Sequence, residues 1–197
     1  MIFESRIQTL APGLVLRPVT EDDAEAMARA YRREREHLRP WEPVRGESFF
    51  TAEGQAARLR DLVELRAAGR SMPWVLAEEE GAGPGSGEIV GVVNLNNIVH
   101  GAWRSANLGY WVAAARTGRG LASAAVAAVC RDADEHLGLH RVEAGTVLAN
   151  AASQRVLARC GFERIGVAPA YLHINGVWQD HVLFQRILND RPVAPAV

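Results

Sequence analysis

The run Arg116, Thr117, Gly118, Arg119, Gly120, Leu121 and Ala122 stands between a strand-like stretch that ends at Val112 and an alanine-rich helical pattern. Two glycines let a backbone approach an anion with no Cβ in the way, and free amides at a helix start present donors and the positive end of a dipole. With two arginines adding fixed charge, the arrangement is that of a phosphate cradle. Further on, Asn150 and Ser153 stand one helical turn apart at the start of a short helix, so both side chains can face one ligand. Asn150 before Ala151 is also a good N-cap. Tyr110, Trp111 and Val112 lead toward the cradle, and strand alternation sends Tyr110 and Trp111 to opposite faces of a sheet.

What is missing narrows the phosphate ligand. Gly118, Gly120 and Ser123 nearly complete a dinucleotide fingerprint, but the third glycine is Ser123. The next strand then ends in Val147 and Leu148 where a ribose-binding acid is expected, and Glu143 comes too early. All 22 basic residues are arginine, and without lysine a Walker-type loop, a Schiff-base mechanism and a pyridoxal site are excluded.

Strands and helices must hold these groups, and 197 residues at 48% hydrophobic composition suffice for one sizeable core. A single domain over residues 1–197 is expected, with its core at about 14–188 and a flexible tail over 189–197. A net charge of -1 argues against a dedicated nucleic-acid coat. No charged-then-apolar leader opens the chain, and no apolar run approaches the roughly 20 residues of a membrane helix, so the expected compartment is the cytoplasm. Cys130 and Cys160 lack CxxC or Cys/His spacing, which excludes a zinc module and a disulfide scaffold and leaves them as buried small hydrophobes.

Along the chain, residues 14–18 read as a strand, and Thr20 with the acids after it opens a helix to about residue 37. Pro40 and Pro43 make 38–43 irregular before a helical pattern resumes over 51–68. Strands over 74–77 and 89–95 flank a glycine-rich hairpin loop at 81–87, and a strand over 107–112 precedes the cradle. Apolar residues at 122, 125, 126, 129, 130, 133 and 137 give a helix over 121–137 ended by Gly138. A strand over 141–148, a short helix over 150–160 stopped by Gly161, and strands over 171–174 and 177–188 around the hairpin dipeptide Asn175-Gly176 complete the chain. The predicted class is α/β of the α+β type, a mixed and mostly antiparallel twisted sheet flanked by helices, with one parallel crossover around the glycine loop.

In this arrangement the chain resembles the GNAT superfamily of N-acetyltransferases. The phosphate loop of that superfamily reads Gln/Arg-x-x-Gly-x-Gly/Ala; residues 117–122 match its glycine and alanine positions and depart at the first, where Thr117 stands with Arg116 one residue away. The closer likeness is to the RimJ/RimL branch, which acetylates protein N-termini such as those of ribosomal proteins. Four segments carry it: Glu36-His-Leu-Arg-Pro-Trp-Glu-Pro43, Leu108-Gly-Tyr-Trp-Val112, Asn150-Ala-Ala-Ser153 with Gly161-Phe162, and the stretch 171–182. The resemblance covers about 14–187 and implies the GNAT fold, acetyl-CoA as cosubstrate and no metal. It implies that the amides of Gly118, Arg119, Gly120, Leu121 and Ala122 hold the coenzyme A diphosphate, with Arg116 or Thr117 at the first position. Tyr110, Trp111 and Val112 would lie beside the pantetheine in a slot between splayed strands. Asn150 would contact the pantetheine arm, and Ser153 would stabilise or protonate the departing thiolate.

The chemistry so implied is direct amine attack on a thioester. At pH 7 roughly one in ten free α-amines is already neutral, against fewer than about one in a thousand lysine amines, so an N-terminal acceptor needs little base assistance. RimL-type enzymes place a glutamate just before the hairpin, and that position here is Leu172. Glu42, His173 and His181 are the remaining base candidates, Glu42 ranking first because the proline-framed segment borders the expected acceptor side, with Trp41 beside it. The expected activity is acetyl-CoA-dependent acetylation of a primary amine, with a protein or peptide N-terminus, such as that of a ribosomal protein, as acceptor. No nucleic-acid or membrane partner is expected, and the hairpin over 171–188 offers a surface for a homodimer. Two other readings fit the same residues: a small-molecule amine acetyltransferase acting on an amino acid, polyamine or antibiotic, and a coenzyme A-binding regulator without chemistry, suggested by Thr117 and Leu172.

Overall fold

In the computed structural model, residues 8–78 and 87–192 are described. The chain runs β1 (Gln8–Ala11), β2 (Leu14–Pro18), α1 (Ala24–Arg33), α2 (Arg35–Leu38), α3 (Ala52–Ala67), β3 (Met72–Glu78), β4 (Ile89–Val99), β5 (Ser105–Val112), α4 (Leu121–Glu135), β6 (Arg141–Val147), α5 (Ala151–Arg159), β7 (Glu163–Ile174) and β8 (Val177–Ile187). Strand alternation assigns the two faces of the sheet. Trp74, Leu76, Val93 and Leu95 point to one side and pack with Ala125, Val126 and Val129 of α4 and Leu157 of α5. Their neighbours Val75 and Val92, with Trp111, point to the other and pack with Met27 and Tyr31 of α1 and Leu59 of α3.

Among the described residues the strands form one sheet in the order β1-β2-β3-β4-β5-β6-β8-β7. Neighbouring strands are antiparallel except β5 and β6, which are parallel because α4 carries the chain back across the sheet between them. This is the mixed, mostly antiparallel sheet with one crossover that the sequence predicts. The helix start near Thr20 is built by Asp23, whose carboxylate accepts the Thr20 amide at 2.9 Å and takes the Arg17 guanidinium in two bonds of 2.8 and 2.6 Å. The Arg17–Asp23 pair is fully buried, so each charge depends on the other.

Several boundaries differ from the sequence reading. β1 precedes the expected start at residue 14 and pairs with β2 through an irregular register. β7 begins eight residues ahead of the predicted 171. Gly166, Pro169 and bulges between Arg164 and Gly166 and between Ala168 and Leu172 break the period-2 pattern there, which an edge strand tolerates. α4 ends at Glu135, although Leu137 is still buried and Gly138 takes the left-handed φ of +62°. Asn175 and Gly176 adopt φ of +48° and +83°, the turn their dipeptide predicts. The glycine-rich loop at 81–87 lies, Gly87 apart, outside the described residues. Within the segment read as a tail, Asn189 donates to the Asp134 carboxylate and to the Leu139 carbonyl at 2.8 Å each. Cys130 and Cys160 are both buried. Among the described residues no helix is long and apolar enough to cross a membrane.

Candidate active site

Beyond β5 the backbone turns through a short 3-10 segment, Ala114–Arg116, and reaches α4 by way of two left-handed glycines, Gly118 at φ +74° and Gly120 at φ +78°. A Cβ at either glycine would meet nothing within 4 Å, so backbone conformation and not space calls for glycine. Gly120 is the N-cap of α4 and supplies no side-chain cap, and the first turn carries no acid. The first amide to bond within the helix is Ala124 to the Gly120 carbonyl at 3.0 Å. The amides ahead of it therefore form an open anion cradle at the positive end of the helix. Two carboxylates pin the loop from behind: Glu34 accepts the Ala114 amide at 2.9 Å, and Glu78 pairs with Arg116. Burial pushes the Glu34 carboxyl up, but the Ala114 amide and Arg33 hold it below the ordinary carboxylate range. Thr117 turns its hydroxyl back to the Ala114 carbonyl at 2.8 Å. Neither candidate for the first position of the loop thus points a free side chain into the cradle, whereas Arg119 is exposed at its mouth.

β5 and β6 pair only from Ser105–Arg141 to Asn107–Glu143 and then part, while β6 stays paired with β8 out to Val147. The result is the splayed slot that the resemblance implied. Its walls are strand edges with backbone donors and acceptors, which suit an amide-bearing arm laid in as an added strand. Tyr110 and Trp111 leave β5 on opposite faces, as alternation predicts. Trp111 is buried and donates its indole N–H to the Tyr31 hydroxyl at 3.2 Å. Tyr110 reaches toward α5, its hydroxyl 2.8 Å from Ser153 Oγ and 3.2 Å from the Ser153 carbonyl. Asn150 is the N-cap of α5, accepting the Ser153 amide at 3.0 Å, so its side-chain oxygen is engaged in holding Ser153.

A cavity of about 120 Å³ opens beside Tyr31, Leu38, Glu42, Val44, Phe50 and Asn175, and Arg35, Arg39 and Arg45 also line it. The Asn175 amide donates to the Glu42 carbonyl at 2.9 Å, tying the proline-framed segment to the tip of the β7–β8 hairpin. Burial pushes the Glu42 carboxyl up, against the lowering pull of Arg45, 3.8 Å away, and of Arg58. Tyr31 lines this cavity and, through Trp111, adjoins β5. Of the base candidates, the structure places Glu42 in this cavity. His173 is exposed, edge-on to Trp178 at 5.5 Å, and is not among the residues that line it. His181 is buried in the sheet with Nδ1 3.0 Å from the Gln179 carbonyl. Leu172 is exposed, and Trp41 is 37% exposed and so lies outside the core. Sequence reasoning missed Tyr31 and Glu34, which read only as helical residues; nothing in their local pattern marks them. Among the described residues no group of three His, Cys, Asp or Glu side chains is placed to hold a metal.

An open anion cradle beside a slot edged by unpaired strand suits a phosphorylated, amide-bearing cosubstrate of the coenzyme A kind, as an acyltransferase takes. The acetyltransferase (GNAT) domain family matches residues 13–163, and the chain belongs to that family. It is an acetyltransferase with acetyl-CoA as donor. Among its relatives is the [ribosomal protein uS5]-alanine N-acetyltransferase of Escherichia coli K12, 36% identical over 178 residues that cover 90% of this chain and 89% of that protein. The structure of ribosomal-protein-S5-alanine acetyltransferase from Vibrio fischeri superposes with a TM-score of 0.88 at 32% identity, covering 95% of this chain and all of that one. Mycobacterium smegmatis RimJ, solved in complex with CoA-disulfide, gives 0.81 at 36% identity, over 88% of this chain and 81% of that chain.

Proposed function

We propose that this enzyme acetylates the N-terminal α-amine of a protein, with a ribosomal protein beginning in a small residue as the first acceptor to test. The observation that carries this reading is the cavity of about 120 Å³ next to Glu42, a volume suited to one small side chain with its amine. The E. coli relative, whose name gives alanine of uS5 as its target, supports the same choice. A ribosomal acceptor would place the enzyme's work in the cytoplasm.

In this reading the loop amides from Gly118 to Ala122 and Arg119 hold the diphosphate of acetyl-CoA, and the free edges of Tyr110 to Val112 and of β6 receive the pantetheine amides. Glu42 receives the acceptor's ammonium and takes its proton, directly or through water. The freed amine attacks the acetyl carbonyl and sheds its surplus proton to water, and the C–S bond breaks with its electron pair on sulfur. Ser153 supplies the proton there, its position fixed by the Asn150 cap.

Mass spectrometry of peptides incubated with enzyme and acetyl-CoA tests this. An acetyl group on the α-amine of an alanine- or serine-initiated peptide, and none on the same peptide with a blocked N-terminus, is the expected result. The small cavity also admits a free amine, so amino acids and polyamines belong in the same screen. Turnover of those alone would replace the protein acceptor with a small-molecule one.

A further inference from the structure

The Tyr110 phenol stands on the part of β5 that no longer pairs with β6. It crosses from β5 to the first turn of α5 where β5 and β6 have already parted, and it ends 2.8 Å from Ser153 Oγ. The Asn150 cap fixes the Ser153 backbone at 3.0 Å, so both partners of this hydroxyl pair are anchored in the fold. Each hydroxyl carries one proton and can accept others. When Tyr110 donates to Ser153 Oγ rather than to the Ser153 carbonyl at 3.2 Å, the serine proton is left free to point elsewhere.

We infer that Tyr110 and Ser153 form a two-hydroxyl relay, in which Tyr110 positions Ser153 and resupplies the proton that Ser153 gives to the leaving sulfur. This rests on the reading of Ser153 as the proton donor. A serine hydroxyl is a much weaker acid than a thiol, so donation by Ser153 alone would leave an alkoxide. A phenol behind it lowers that cost, because a phenolate is a weaker base than an alkoxide, and reprotonation from water clears the remainder. The amine nitrogen forms the new C–N bond and sheds one proton to water; the C–S bond breaks with its pair on sulfur. The Ser153 proton passes to sulfur, the Tyr110 proton to Ser153 Oγ, and a proton from water restores Tyr110. Burial pushes the Tyr110 phenol up to about 12, so it holds its proton at neutral pH; the Ser153 hydrogen bond pulls the other way, and Cys160 is the other titratable group acting on it.

Steady-state kinetics of Tyr110→Phe, Ser153→Ala and the double variant test the relay. Each single change should lower kcat by about tenfold or more while the KM for acetyl-CoA stays within about threefold, and the double variant should be no slower than the slower single. A double variant slowed by the product of the two single effects overturns the relay, as does a Tyr110→Phe enzyme with unchanged kcat beside a slow Ser153→Ala. Unchanged kcat in Ser153→Ala overturns the role of Ser153 itself and the relay with it. A second readout needs no turnover. In free protein carrying 3-fluorotyrosine, the fluorine resonance assigned through Tyr110→Phe should move on Ser153→Ala while those of Tyr31 and Tyr171 stay in place. An unmoved Tyr110 resonance overturns the relay.

Discussion

Glu42 shows how one residue can be legible in the sequence while its properties are not. Prolines on either side mark the segment as irregular and therefore available to a ligand; burial raises its carboxyl pKa in a cavity it shares with Tyr31, Leu38 and Phe50, which no local pattern places around it. His173 was equally visible in the sequence, yet the strand carries it to the surface beside Trp178. If Glu42 is the base, kcat/KM against pH should show an acid limb above the 4.5 ordinary for glutamate, because activity needs the ionised form. Glu42→Gln should abolish that limb and lower kcat/KM most strongly at neutral pH. Stability has the opposite sign. A carboxyl whose pKa is raised by folding favours the fold below 4.5, and that contribution is lost as pH rises through the raised value. Glu42→Gln should therefore melt higher than the parent at neutral pH and lose the advantage in acid, as thermal unfolding at several pH values would reveal.

At the scale of elements, the loop between β5 and α4 is held by contacts from outside it and shaped by two glycines within it. Gly118 and Gly120 have open space around them, so alanine there is opposed only by the left-handed backbone, at about 1–2 kcal/mol each. Either substitution should raise the KM for acetyl-CoA by roughly tenfold with kcat largely retained, since the loop binds and takes no part in bond making. Glu34→Gln loosens the loop from behind by exchanging the charged acceptor of the Ala114 amide for a neutral one. It should lower the melting temperature and raise the same KM. The glycines could be read from sequence because their need is local. Glu34 could not, because its partner lies 80 residues away. The extent of β7 was hidden for another reason: an edge strand with Pro169 and two bulges lacks the alternation by which strands are recognised.

For the molecule as a whole, charge and apolar surface set expectations that no single element does. A net charge of -1 gives little long-range field for an anionic cosubstrate, so attraction falls to Arg119 and the helix end. Raising ionic strength from low to about 0.15 M, where screening acts over about 8 Å, should weaken coenzyme A binding by calorimetry only modestly, by a few-fold. Val177 and Trp178 are more than half exposed at the end of the hairpin. If two copies pair there, Trp178→Asp should leave only monomer in sedimentation. The parting of β5 and β6 also bears on how the chain unfolds. With only three residue pairs joining them, the strands before α4 and those after it share little backbone bonding and depend on helix packing to unfold together. A bound arm that bonds to both edges would splice them, so coenzyme A should slow hydrogen exchange along the facing edges of both strands and turn two loosely coupled cooperative units into one.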